Sequence, residues 1–231
     1  MCSQKPEEPI KLDLQRWERW VQWAQRVRGD VKSALGDRVV FRGFSDVVRE
    51  TQQWIAEHSG ARFCEFVARS YVASVALAVR RHPRHHTDAV TLRGLLDQVQ
   101  RCTSQLTLDF YIERFPGNGE DHFLATSTFK CVSRNGSAAS DEIIKQDMDE
   151  LERHTERVEA FVDTQLAHLD RRALATQATF NDLDAALDAL DRVACKYLTL
   201  LTGGYRDTLE GTIQEPWMDV FAIPLQKPHA S

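Results

Sequence analysis

Between Asp141 and Asp170 the apolar residues fall three or four positions apart: Ile144, Met148, Leu151, Val158, Val162, Leu166 and Leu169, with Thr155 filling the one gap. That spacing predicts an amphipathic helix over about 141–169 with one face in a core. Ser140 is a candidate N-cap, and Asp141 and Glu142 suit the positive end of the helix dipole. A second stripe of the same period, Phe180, Leu183, Leu187, Leu190, Ala194, Tyr197 and Leu201, predicts a helix over about 180–202. Gly203 and Gly204 end it, and Asp182, Asp184, Asp188 and Asp191 are assigned to its wet side. The short connection between the two predicts an antiparallel pair, with Met148, Leu151, Val158 and Val162 facing Leu183, Leu187, Leu190 and Tyr197.

The first half of the chain carries shorter signals. Trp17, Trp20, Trp23, Ala24 and Val27 predict a helix over 12–34, capped by Asp13 and ended by Gly36. Phe41, Phe44, Val47, Val48, Thr51, Trp54 and Ile55 predict a second, ending before Gly60, and Phe63, Phe66, Val67, Tyr71, Val75 and Val79 a third over about 61–81, stopped by Pro83. Thr91 reads as the cap of a helix over 92–102, and 106–115 as a further helix or packed turn. The PGNG turn at 116–119 opens a stretch without clear period, read as a long connection to Ala139 with at most a short strand over 129–132. Residues 1–10 are expected to be loose, 11–204 to form one helical domain, and 205–231 to be an irregular tail with Trp217 and Phe221 folded back on it. The fold class expected is all-α, an antiparallel helical bundle with an irregular insertion around 116–139.

Composition changes little in this picture. No apolar run approaches the ~20 residues of a membrane span. No secretory signal is visible, and five cysteines without a CxxC pair fit a reducing compartment, so a cytoplasmic protein is expected. The net charge of −5 does not suggest general nucleic-acid affinity. The charge is uneven, however. Seven Arg against three acids leave 62–101 at +4, whereas ten acids against three bases leave 141–170 at −7. Such segments either neutralise each other or expose a basic rim able to touch phosphate. His82, His85 and His86 lack carboxylates or cysteines at ligand spacing, so they read as a solvated basic loop and no metal or cofactor is expected. There is no P-loop, GxGxxG, HExxH or GxSxG.

Two strings add a resemblance. DTQLAHLD over 163–170, and KYLTLLTG over 196–203 with the Trp-containing tail, resemble the AbiU-like (abortive-infection) branch of the HEPN superfamily. So does AVRRHPRHHTDAVTLRGLL over 78–96, an Arg-ended helix, a polar loop and a Thr-capped Leu-rich helix. The resemblance covers about 60–221. It implies a helical bundle that pairs into a homodimer, a bacterial defence or toxin role, an RNA substrate, an antitoxin or regulatory partner, and metal-independent endoribonuclease activity. Its site would combine an Arg, a polar residue and, a few residues on, a His. Here that places Asp163 at the polar position and His168 at the histidine. The chemistry is coherent: His can take a proton from a ribose 2′-OH or give one to the leaving oxygen near neutral pH, and Arg can stabilise the charged transition state.

The pattern departs from the family where its Arg would stand, because Val162 occupies that position on the apolar stripe. Arg157, eleven residues before His168, would lie about 16 Å away along a helix. Arg80 and Arg81, on a neighbouring helix, are the candidates to replace it. A helix-end His168 bonded to Asp163 or Asp170, in a catalytically silent scaffold that binds a protein or nucleotide, is the alternative reading.

Overall fold

The computed structural model describes residues 11–58, 60–86, 88–115, 122–166 and 178–221. Among them the protein is an all-α bundle of eight α-helices with no strand. Helix α1, Leu14–Glu50, begins at Asp13, whose carboxylate accepts the Arg16 amide at 2.9 Å. Two separate helices were expected here; one continuous helix is found. Gly36, read as a stop, lies inside it. A buried stripe from Trp17 and Trp20 through Val27, Val31, Ala34 and Leu35 to Phe44 runs uninterrupted across it. Burial of that stripe outweighs the roughly 1 kcal/mol a mid-helix glycine costs.

Thr51 interrupts the helix before the short α2, Gln52–Glu57, on which Trp54 is exposed and stacks on His58 rather than entering the core. Helix α3, Ala61–Arg81, stops just ahead of Pro83. Helix α4, Leu92–Gln100, is capped by Thr91, whose hydroxyl accepts the Gly94 amide at 2.9 Å. The one-turn α5, Leu108–Ile112, follows. The short strand considered over 129–132 is not formed. Helix α6, His122–Phe129, takes in only Phe129 of that stretch and 130–132 form a turn; Phe129 is buried and packs on Tyr111 with ring centroids 5.2 Å apart. The only strand-like pairing described is an isolated bridge between Thr107 and Ala138.

Helix α7, Asp141–Phe161, and helix α8, Phe180–Thr202, form the expected antiparallel pair. Three ion pairs fix the direction: Arg157–Asp182 at 3.1 Å, Arg192–Glu150, and Lys196–Asp147 at 2.6 Å. As the number falls along α7 it rises along α8. Met148, Leu151, Val158, Val162, Leu183, Leu187, Leu190 and Tyr197 are all buried. Ser140 caps α7, a Thr179–Asp182 capping box opens α8, and Gly203 closes it at φ 67°, a left-handed conformation that glycine adopts without a Cβ penalty.

The acids of α8 are not simply its wet side. Asp191 is buried and accepts the Leu209 amide at 2.7 Å and the Thr208 hydroxyl, so it pins the segment after the helix. Arg38, buried on α1, pairs with Asp188 at 2.6 Å and with Glu210 at 2.6 Å and ties the same segment to α1. A 3₁₀ turn, Trp217–Phe221, ends the described chain with the Trp217 ring against Gly43, where a Cβ would come within 2.7 Å of it.

An arginine–carboxylate cluster as candidate functional site

The end of α3 and the end of α7 meet in a polar cluster. α-Helical geometry stops at Phe161, and Val162–Leu166 continues as a π-helical turn. The helix expected to run to 169 therefore changes character at Val162, six residues before His168, which lies outside the described residues. Local π-turns of this kind recur at functional sites. Val162 is fully buried, as its place on the apolar stripe predicts.

Asp163, on that turn, accepts from Arg80. Both Nε and Nη2 of Arg80 lie 2.6 Å from Asp163 Oδ1. Arg84 spans two acids: its Nε donates to Glu159 Oε2, and its Nη2 lies 3.5 Å from Asp163 Oδ2. The bond to Glu159 is the first cause of the rise in the Arg84 pKa. Glu159 is itself buried, and its second oxygen sits 3.0 Å from the Thr155 hydroxyl. Two guanidiniums thus face two carboxylates, each charge answered. Arg80 and Asp163 remain about one-third exposed and Arg84 about one-half, so solvent or an anion can reach the outer edge of the cluster.

Of the residues singled out in sequence, Arg80 and Asp163 are brought together. Arg81 is not: it turns to α1, 3.3 Å from Asp30. Arg157 faces Asp182 on α8. Arg84 and Glu159 were missed, one read as part of a solvated loop and the other as one of ten acids. The available signal was the four-residue spacing Thr155–Glu159–Asp163 opposite Arg80–Arg84. Glu159 on α7 and Asp163 on the π-helical turn meet Arg84, just beyond α3, and Arg80, in its last turn.

The histidines of the loop separate. His85 Nδ1 approaches Asp97 at 3.3 Å, with Arg93 on the same carboxylate at 3.1 Å. His82, expected in a solvated loop, is buried instead. Its Nδ1 accepts the Leu92 amide at 3.4 Å and its carbonyl accepts the Arg93 amide at 2.9 Å, so it joins the ends of α3 and α4. Burial pushes the imidazole down to about 4, against weaker opposition from Asp30. Because the folded pKa is depressed, the unfolded chain binds the extra proton between the ordinary value near 6.5 and about 4. Stability is therefore present above that window and lost as pH falls through it. By pH 5 the loss from His82 is about 2 kcal/mol. His82→Gln, which keeps an acceptor but cannot titrate, is expected to flatten the urea-unfolding free energy between pH 7 and 5; an unchanged pH slope would exclude this origin.

Among the described residues no group of three or more His, Cys, Asp or Glu side chains is placed to hold a metal ion, and Cys64, Cys102, Cys131 and Cys195 are free thiols. No described helix is long and apolar enough to cross a membrane. Comparison of the chain with protein-family models, curated proteins and solved structures finds no match in any of the three.

Proposed function

We propose that this chain is an AbiU-like HEPN protein of bacterial defence or toxin type that acts in the cytoplasm as a metal-independent endoribonuclease. In this reading Arg80 takes the role of the arginine that Val162 cannot supply. One observation carries it: Arg80, from a different helix, meets Asp163 at 2.6 Å, at the polar position of the motif and five residues before His168. A guanidinium is thereby delivered to the motif from across the bundle rather than from along the helix.

The proposed chemistry follows from the groups. The ribose 2′-OH attacks the adjacent phosphorus, the bond to the 5′-oxygen breaks, and the products are a 2′,3′-cyclic phosphate and a 5′-hydroxyl. His168 exchanges the protons, and Arg80, assisted by Arg84, meets the negative charge that builds on the phosphoryl oxygens. Asp163 holds Arg80 in place in the resting protein and shares it with the incoming phosphate. A homodimer would bring two such sets together, and an antitoxin or regulatory protein would hold the activity in check.

The test is cleavage of a mixed-sequence RNA in the presence of a chelator. Arg80→Ala and His168→Ala are each expected to lower the rate about a hundredfold, the usual worth of one transition-state contact. Arg81→Ala and His85→Ala should leave it near wild type. Wild-type-like cleavage by Arg80→Ala with an unchanged melting curve would remove Arg80 from the site. A second reading, a silent scaffold binding a protein or nucleotide, is favoured by the balanced charge of the cluster, in which both arginines already have carboxylate partners. It predicts no cleavage by any form of the protein.

A further inference from the structure

About 21 Å along α3 from Arg80, counting fourteen residues back to Phe66 at helical rise, lies a groove unconnected with the arginine cluster. It runs between the C-terminal half of α1, the N-terminal half of α3 and the Trp217–Phe221 turn, is open to solvent along one side, and offers about 570 Å³. That volume falls within the range of small-molecule sites, roughly 300–1,000 Å³. Its walls are aromatic and largely pre-formed. Phe41 stacks on Tyr71 with ring centroids 4.1 Å apart, and Phe44 meets Phe63 edge to face at 6.3 Å. Phe63 and Phe66 stand at the rim, each 59% exposed, a solvent cost for which the bundle's own packing offers no compensation.

One charged side chain lines this groove, Asp37. Its Oδ2 accepts the Ser74 hydroxyl at 3.0 Å, and no Lys, Arg or His among the described residues pairs with it. The neighbouring cations are engaged elsewhere: Arg38 by Asp188 and Glu210, Arg42 by Asp184 at 3.2 Å. Burial raises the Tyr71 phenol to about 12, so at neutral pH it adds an aromatic face and no second negative charge. An unanswered carboxylate set among ring faces is complementary to one kind of ligand. Aromatic faces carry negative potential and attract cations, an anion would meet repulsion from both, and a neutral apolar ligand would desolvate Asp37 without compensation.

We propose that this groove is a binding site for an amphiphilic organic cation, a molecule with an aromatic or branched apolar body carrying an ammonium- or phosphonium-type charge. The body fills the space between Phe41, Phe44, Phe66 and Trp217, and the charge lies against Asp37.

The experiment uses a pair of isosteric probes of opposite charge, tetraphenylphosphonium and tetraphenylborate, titrated calorimetrically into the full chain. The cation is expected to bind one per chain and at least tenfold more tightly than the borate. Asp37→Asn should abolish that preference. Phe66→Ser, at an exposed position, should weaken the cation at least tenfold without shifting the melting curve. Equal or tighter binding of the borate, no saturable binding of either probe, or a preference that survives Asp37→Asn overturns the proposal. Sedimentation of wild type and Phe66→Ser addresses a second copy of the chain as occupant: a dimer that Phe66→Ser dissociates, with no cation preference in either form, likewise overturns it. Because RNA cleavage is not measured, the outcome is independent of the endoribonuclease reading.

Discussion

Val158→Asp is expected to lower the unfolding free energy by about 4 kcal/mol, within the 3–5 typical of an uncompensated buried charge. Val158 is fully buried on the α7 face that packs on α8. A carboxylate there loses its hydration and finds no cation, because Arg157, its sequence neighbour, points outward to Asp182. Apolar contacts are lost as well, and Val158→Ala measures that part separately at about 2 kcal/mol. The excess of the Asp variant over the Ala variant is the electrostatic share. It should shrink as pH falls, because the new carboxyl can then take up a proton and become neutral. Urea unfolding of both variants at pH 7 and 5 gives all four values. If Val158→Asp unfolds like wild type, the packing of α7 on α8 is not the one described.

Helices α7 and α8 were legible in sequence because each presents an apolar stripe of helical period to the bundle, α7 to α8, α3 and α4, and α8 to α7, α1 and α3. Under those conditions local period and tertiary packing demand the same residues face inward. Legibility failed where the two conflicted. Gly36 carries a strong local stop signal, yet the stripe from Val31 through Leu35 to Phe44 continues past it, and packing prevails. Residues 122–129 have no polar face to reveal a period, and α6 forms because Phe129 has a place against Tyr111, a contact no local pattern discloses. Asp191 reads as a solvated acid until the chain beyond α8 folds back and offers it the Leu209 amide.

The candidate site divides in the same way. Asp163 and Arg80 could be named separately from sequence, since each stands near the end of a recognisable helix. That Arg80 reaches Asp163 while its neighbour Arg81 reaches Asp30 depends on helix rotation. Adjacent residues on a helix point about 100° apart, so only one of the two can face α7. Glu159 was hidden because ten acids on one segment look alike until burial singles one out. Its pairing with Arg84 shows how the basic segment 62–101 and the acidic segment 141–170 adjoin, the neutralising arrangement their opposite charges allowed.

The same geometry fixes the outcome of rebuilding the motif arginine in its usual place. Val162→Arg with Thr164→Lys is expected to cost about 3–5 kcal/mol and to yield no gain in RNA cleavage. Val162 has no exposed surface, so an arginine there must either bury its guanidinium among apolar side chains or open the packing of the π-helical turn to reach water. The acids close by, Asp163 and Glu159, are already held by Arg80 at 2.6 Å and by Arg84, so the new charge meets satisfied partners and competing cations. Thr164→Lys adds a further positive charge and removes the hydroxyl that donates to the Ala160 carbonyl at 2.7 Å. Thermal unfolding and the chelator-resistant RNA assay, run on the double variant and on Thr164→Lys alone, separate these contributions. Thr164→Lys alone should remain within about 1 kcal/mol of wild type, since residue 164 keeps part of its surface in solvent. A double variant that melts like wild type and cleaves RNA a hundredfold faster would show the opposite: that the helix accepts an arginine at 162 and that Arg80 does not serve the site.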